Sequence, residues 1–587
     1  MVVSETDKTP TYTYSADKVV TVLQPLKKDP NQSISRLFRA AAGQVEQPKH
    51  VAFGDYKDVF ILNQPESFDV PSYHAVCGYS VWMKHADNGD RYQEKRTLNF
   101  VFFDDIPDAV RHSVAEDYFL RLNAASRLSK DAVEFLMNSL ILLRDLPNNY
   151  IRLIDIKIER VAQSEELVIP TSKECESDEE VEDLVAGHVQ TALEHAYPNA
   201  LTFETIAEQL RATPEQVTAF LAELQNKGIA EQLESGEYIR VNAFAKAAES
   251  KLNKAAAERP PTIAIICSLF LENLAVSRIV ENAHTVHMYN LNGDSNVYTI
   301  GDIGPHRVVV TKLSILGDSR QATTSSGSIT TRLLGNFQQI EHVIICGVGG
   351  GVPHFTDPNQ HVRLGDVVLS STQNGSKPAY VYGSSLVKDR TTGRVIGLTP
   401  QKWSPKEEPF IDLLHSRGDE LQAAWLSYAD QLIRKLNEEK TENLDFTRPS
   451  AEVDVIAVVD AEEGDTVVAA HPDERSHSKV HEGTVASMIR YTAPVSLDDT
   501  DTPIKQPNSQ ALRNGFLKEY NAKAFDAGFP SVIDSVKGNC IDSYLLIRGI
   551  ADYQNGSSRF SKTWQSYSSA QAAALTRVLI EMLPSKK

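Results

Sequence analysis

From Thr262 onward the chain carries a series of short apolar, β-branched runs: TIAIIC (262–267), RVVVTKL (307–313), HVIICG (342–347), GDVVLSS (365–371), GTVAS (483–487) and YLLIRGI (544–550). Helical segments separate several of them. Their hydrophobicity is near-continuous rather than alternating, which is the pattern of strands covered on both faces. Such a chain is constrained to an α/β fold, a three-layer domain with a mostly parallel central sheet. In these sheets ligands bind beyond the carboxyl ends of the strands, so function is sought in the residues that follow each run.

At 587 residues the chain is too long for one core. Two composition shifts divide it. AQSEELVIPTSKECESDEEVED (162–183) is acidic and poor in large apolar side chains, and FAKAAESKLNKAAAERPP (244–261) is an Ala/Lys/Glu stretch closed by Pro-Pro. The expected domains are residues 1–165, 180–243 and 261–587. The first mixes strand-like runs (98–104, 151–161) with a helical one (131–146), an α+β pattern without a catalytic constellation. The formal net charge of −19 excludes a general binder of nucleic acid or anionic membrane. Five scattered cysteines without a CxxC pair predict a reducing compartment. The absence of an apolar run of about 18 residues predicts a cytoplasmic protein without a membrane span.

The middle segment reads as a winged helix. Three helical stretches (186–197, 203–210 and 214–227) precede a β-wing at 229–241 that turns at Ser235-Gly236. Pro214 opens the third helix and Gly228 closes it. Residues 182–240 hold ten acidic side chains against three basic ones, Arg211, Lys227 and Arg240. Phosphate neutralisation needs several cations, so a protein partner fits this module better than DNA does.

Candidate site residues follow the strands. Glu272 stands just past the first run. Consecutive glycines, Gly347, Gly349 and Gly350, interrupted by Val348, follow HVIIC and read as a turn that exposes amide donors. The following Pro353 and Pro358 exclude the dinucleotide-binding reading of those glycines. Asp366 in RLGDVV reads as a structural turn residue. Within 317–337 a Ser/Thr/Gly-rich turn precedes a helix, and its single cation, Arg320, gives little support for a phosphate site. Tyr491 offers a π-face after the strand at 483–487. Arg548 and Asp552 sit four residues apart at the end of the last strand. His471, His477 and His481 match no metal-binding spacing, and no metal is expected. Residues 372–520 read as an insertion with an amphipathic helix (410–440) and an acidic loop (496–503).

RGIADYQNGSSRFSKTWQSYSSAQAAA (548–574), the glycine stretch with RLGDVV (340–370) and VHEGTVASMIRYTAP (480–494) together resemble the nucleoside phosphorylase / methylthioadenosine-type nucleosidase superfamily. The resemblance spans 262–583 and implies that superfamily's three-layer fold. It implies that Asp552 protonates the purine, that Glu272 polarises the attacking water, and that Arg548 steadies the glutamate or the nucleophile. It also implies that Tyr491 stacks on the base and that the chain forms a homo-oligomer. No cofactor is implied, beyond inorganic phosphate if the reaction is phosphorolysis. Two departures stand against full activity. Val348 replaces a frequent hydroxyl. Counting back from Arg548 without gaps, Gly528 and Phe529 occupy the place of a ribose-gripping methionine-glutamate pair, while Asp526 and Asp534 lie nearby but out of register. Three functions therefore compete: an enzyme cleaving or binding the N-glycosidic bond of a purine nucleoside, a catalytically silent nucleoside-binding scaffold docked through its winged helix, and a DNA-binding regulator.

Overall fold

The computed structural model describes residues 19–585 apart from 30, 46–49, 52–58, 85–90, 125–131, 146–149, 162–188, 191, 194–195, 198–199, 211, 242–258, 288–296, 314–319, 440–443, 460–465, 492–506, 508, 555 and 557–560. The linker expected at 162–183, most of that at 244–261, and the loop at 496–503 lie outside the described residues. Two compact units form. One comprises Met1–Glu179, His354–His361 and Val455–Glu474; the other comprises Glu180–Pro353, Val362–Asp454 and Arg475–Lys587.

The first unit is a nine-stranded, largely antiparallel sheet. Its strands are β1 (Val19–Asp29), β2 (Gln32–Ala41), β3 (His50–Val51), β4 (Val59–Ile61), β5 (Ala75–Lys84), β6 (Arg91–Phe102), β7 (Ile151–Arg160), β18 (Ile456–Val459) and β19 (Thr466–Ala469). They lie in the order β18-β19-β5-β6-β7-β2-β1-β4-β3. Helices α1 (Asp108–Leu122) and α2 (Ala132–Asp145) complete the unit, with Tyr118, Phe119, Leu140 and Leu143 buried. Residues 354–361 and 455–474 fall inside the 261–587 span that the sequence assigns to one α/β domain, and the structure places them here instead. The reason is backbone pairing. β19 joins the edge of β5 through Val468↔Ser80 and Ala469↔Tyr79, which gives that edge its hydrogen bonds. Phe355 meanwhile packs on Phe119, ring centroids 5.0 Å apart.

In the second unit the winged helix contains α3 (Phe203–Leu210), α4 (Pro214–Asn226) and a wing of β8 (Ala230–Gln232) and β9 (Tyr238–Arg240). Thr213 and Gln216 form a reciprocal capping box at the start of α4. Val189, Leu193, Ile206, Val217, Leu221 and Leu224 make the core. The first expected helix is described only in part.

The remaining chain builds a twelve-stranded sheet from β10 (Ile263–Cys267), β11 (Glu281–His287), β12 (Val297–Ile303), β13 (His306–Lys312), β14 (His342–Gly351), β15 (Val367–Ser370), β16 (Tyr380–Lys388), β17 (Val395–Trp403), β20 (Val480–Gly483), β21 (Val485–Met488), β22 (Ala524–Phe525) and β23 (Ser543–Asp552). Its centre, β13-β10-β14-β23, is parallel. On the flanks β15–β20, β16–β21 and β21–β22 are parallel as well, whereas β11–β12, β12–β13, β14–β22, β15–β23 and β16–β17 are antiparallel, so the sheet is mixed. Alternate residues of each central strand face opposite layers. Ile263, Ile265, Cys267, Ile344 and Ile547 pack with α5 (Phe270–Ile279), α7 (Pro409–Glu438) and α10 (Lys562–Met582). Ala264, Ile266, Val343, Ile345 and Leu546 pack with α6 (Arg320–Asn336) and α9 (Pro530–Gly538). Two-sided burial is the reason the runs lack alternation. The helix at 410–440 is thus α7, part of a covering layer, with Trp425 buried and its Nε1 donating to Gln571 O at 3.0 Å. Among the described residues, no helix is long and apolar enough to cross a membrane.

Candidate active site

β14 and β23 position the site. They run parallel with Gly347 opposite Arg548, Val348 opposite Gly549, and Gly350 opposite Asp552. The glycines expected to form a turn instead continue β14 to Gly351. The end of that strand also pairs with β22, Gly350↔Phe525 and Gly351↔Ala524, so the sheet forks there. Close approach explains the missing side chains. A Cβ on Gly347 would stand 2.3 Å from Glu272 Oε1, and one on Gly556 would stand 2.6 Å from the Gly349 backbone.

Glu272, in the first turn of α5, is 1% exposed. Its Oε2 accepts from Ser268 N–H, Ser268 Oγ and Leu269 N–H, each at 2.8 Å, and its Oε1 accepts from Val348 N–H at 2.7 Å. The carboxylate therefore caps its own helix and ties it to the glycine stretch. Asp552, at the end of β23, accepts from Gln554 N–H and Gly556 N–H at 2.8 Å, which folds the following loop back over Gly349.

Arg548 is fully buried. Its Nε donates to Asp526 Oδ2 at 2.9 Å and its Nη1 to Ile345 O at 3.2 Å, while its Nη2 has no partner among the described residues. The Phe529 ring lies over the guanidinium, 4.3 Å from ring centroid to Cζ. The ungapped register is therefore incomplete as an account of this segment. Phe529 does sit against Arg548, but the carboxylate partner is Asp526, three residues earlier. A left-handed Gly528 (φ +103) makes this fit possible by turning the chain between β22 and α9. Asp526 Oδ1 accepts from Tyr380 OH at 3.0 Å and from Gly528 N–H at 3.0 Å, and Tyr380 OH accepts from Phe529 N–H at 2.8 Å. Burial pushes the Asp526 carboxyl upward, with Arg548 opposing. Asp534 lies elsewhere, accepting from Trp403 Nε1 at 2.7 Å.

Glu272, Arg548 and Asp552 thus all flank the stretch Gly347–Gly350. Tyr491 is buried beside Phe525, Leu512 and Phe516, and its hydroxyl makes no hydrogen bond among the described residues. The three histidines do not converge. His471 bonds His361 at 2.9 Å in the first unit, whereas His481 bonds Asp366 at 2.8 Å in the second. Among the described residues no group of His, Cys, Asp and Glu side chains has metal-holding geometry. Arg320 opens α6, and residues 314–319 of its turn lie outside the described residues.

Sequence reasoning missed a second polar network behind the site. Asp366 accepts from Arg363 N–H, Arg475 Nη1, Arg475 Nη2, Lys479 N–H and His481 Nε2 at 2.5–2.9 Å. Burial disfavours its charge, but His481 and Arg475 outweigh burial and hold the carboxyl well below the usual range. Arg363 Nε pairs with Asp454 at 3.0 Å, and Tyr553 OH donates to Asp454 at 2.6 Å, anchoring the residue next to Asp552. Only the charged residues around RLGDVV hinted at this.

The winged helix meets the same edge of the sheet. Arg240 is buried with its guanidinium 4.5 Å from the centroid of the Phe270 ring, two residues before Glu272. Tyr197 packs edge-on against Phe270 at 5.8 Å, and its carbonyl accepts from Lys312 Nζ at 2.9 Å.

Residues 174–242 match the winged helix-turn-helix domain family. A nucleotide-binding leucine-rich repeat (NLR)-like protein of Hyaloscypha variabilis is 26% identical over 322 residues, covering 54% of this chain. The match takes in 28% of that relative, so this chain corresponds to well under half its length. Three solved structures each align with 55% of this chain. The 5′-methylthioadenosine/S-adenosylhomocysteine nucleosidase of Neisseria meningitidis aligns over 99% of its length (13% identity, TM-score 0.30). That of Campylobacter jejuni aligns over 100% (13% identity, TM-score 0.30), and futalosine hydrolase of Helicobacter pylori over 98% (14% identity, TM-score 0.30). The chain contains a winged helix domain, and its structural neighbours over about half its length are nucleosidases and a futalosine hydrolase.

Proposed function

We propose that residues 261–587 bind a purine nucleoside or nucleobase at the carboxyl edge of the sheet and cleave the N-glycosidic bond slowly. The reading rests on the sequence motifs that place Asp552 and Glu272 on either side of the glycine stretch. In hydrolysis the C1′–N bond breaks as a water oxygen attacks C1′. Asp552 gives a proton to the departing base, and Glu272 holds the water and takes the proton it loses. The observation that carries the reduced rate is the state of the sugar side. Arg548 and Asp526 are buried against each other under Phe529, and Glu272 already receives four hydrogen bonds from the chain. Sugar hydroxyls desolvated there without partners would each cost about 1–3 kcal/mol.

The test is a thermal-shift series on the full chain with bases and nucleosides, with and without phosphate, beside chromatography of released base. Ligands should raise Tm by mass action, while release stays far below a typical turnover of about 10 s⁻¹. Ordinary turnover removes the claim of slow cleavage; no shift by any base or nucleoside removes the binding site. A dependence of release on phosphate would assign phosphorolysis. Homo-oligomerisation belongs to the same proposal and is read by light scattering.

A specific observation favours protein docking by the winged helix. Of its three cations, Arg240 is buried on Phe270, Lys227 pairs with Glu223 at 2.6 Å, and Arg211 lies outside the described residues. Among its described residues the module exposes more acidic side chains (Glu204, Glu208, Glu215, Glu223, Glu231 and Glu234) than basic ones (Lys227), and this suits a basic protein surface better than DNA.

A further inference from the structure

Arg513 lies in the first half of α8 (Ser509–Tyr520), a helix whose Leu512, Phe516, Leu517 and Tyr520 cluster with Phe525 and Tyr491. Its guanidinium carbon is 5.8 Å from the Phe525 ring centroid, and its Nη2 donates to Tyr553 O at 3.3 Å. Its Nε is buried and has no hydrogen-bond partner among the described residues. Desolvation lowers its pKa, and the nearby charge of Asp552 acts in the opposite direction. A half-buried cation is thus held beside the residue that ends β23, with its buried Nε uncommitted among the described residues. The buried Tyr491 hydroxyl, in the same apolar cluster as Phe525, is likewise without a partner. A buried donor left without an acceptor is disfavoured, and a ligand can supply the acceptor that the described residues do not.

We propose that Arg513 is a specificity-determining residue that selects 6-oxopurines over 6-aminopurines. The proposal rests on the reading of Asp552 as the residue that meets the base. The relevant purine edge carries N7 beside the substituent at position 6. In a 6-oxopurine both are acceptors; in a 6-aminopurine one is an acceptor and the other a donor. A guanidinium has five N–H donors and no acceptor, so it complements O6 and N7 and opposes an amino group. This pairing is how arginine reads guanine in a duplex groove. A lone carboxylate would show the reverse preference, because it can accept from the amino group. Arg513 beside Asp552 tips the site toward the oxo form, with Arg513 on O6 and Asp552 facing N7, to which it gives its proton in the proposed reaction.

The experiment is isothermal titration of the full chain with hypoxanthine and with adenine, for the wild type, Arg513→Met and Arg513→Lys, with melting curves to confirm folding. Wild type should bind hypoxanthine at least about tenfold more tightly, at the lower end of what one hydrogen bond from a charged donor supplies. Arg513→Met should lose the preference and Arg513→Lys should keep part of it. Equal or tighter binding of adenine by wild type overturns the role of Arg513 while leaving the base site intact. An unchanged preference in Arg513→Met also overturns it. If neither base binds, the base site and this inference fall together. Should Arg513→Met fail to fold, the graded loss in Arg513→Lys and in Arg513→Gln carries the test, and a preference unaltered in both refutes it.

Discussion

The pair Asp526–Arg548 lends itself to a double-mutant cycle. The two side chains are 1% and 0% exposed and meet at 2.9 Å. Asp526→Ala leaves a guanidinium in the interior without its counter-charge, which costs about 3–5 kcal/mol. Set against a typical unfolding free energy of about 5–15 kcal/mol, that is a large share. Arg548→Met keeps an unbranched side chain under Phe529 and leaves Asp526 with Tyr380 OH and Gly528 N–H, so about 2–3 kcal/mol is expected from the lost charged hydrogen bond. The double mutant buries neither charge. It should be no less stable than Asp526→Ala alone, and the coupling should reach at least about 2 kcal/mol, within the range seen for contacting groups. Urea unfolding followed by tryptophan fluorescence reads the α/β unit through Trp425 and Trp564, both buried in it. Losses in the double mutant that equal the sum of the single losses within about 0.5 kcal/mol would show that Arg548 does not depend on Asp526.

Stability should fall on acidification. Asp366 is held below its ordinary range, so its contribution is full above about pH 4 and is lost as pH drops toward its folded-state value. His481, whose pKa burial lowers, adds a loss that begins as pH falls through about 6.5. Denaturation midpoints between pH 7 and pH 3 check this, and Asp366→Asn should be less stable at pH 7 and less pH-dependent below pH 4; parallel curves would contradict it. Gly549→Ala would place a Cβ 2.1 Å from Ser568 O in the backbone of α10; a loss of at least about 1–3 kcal/mol is expected in the same unfolding assay. The full chain should show no salt-sensitive micromolar binding of duplex DNA in a gel shift, since residues 182–240 hold ten acids against three bases.

The apolar runs at 262–267, 307–313, 342–347 and 544–550 determine where β10, β13, β14 and β23 form, because a strand buried on both faces writes its environment into consecutive residues. The same locality makes α2, α4 and α7 legible: their periodicity, caps and breakers lie within one segment. Arg548 and Asp552 stand out in the sequence as candidate site residues because they end such a strand. Tertiary structure decided the rest. The direction of β15 against β23, and the departure of β18–β19 to the N-terminal sheet, depend on pairing between segments up to about 400 residues apart in sequence, which no local pattern records. Asp526 reaches Arg548 only because β22 pairs with the end of β14 and Gly528 turns the chain, so counting residues back from Arg548 could not find it. Arg513 was invisible for the same reason. An arginine on an amphipathic helix is ordinarily solvated, and only the packing of α8 against Phe525 and Tyr553 brings this one beside the end of β23.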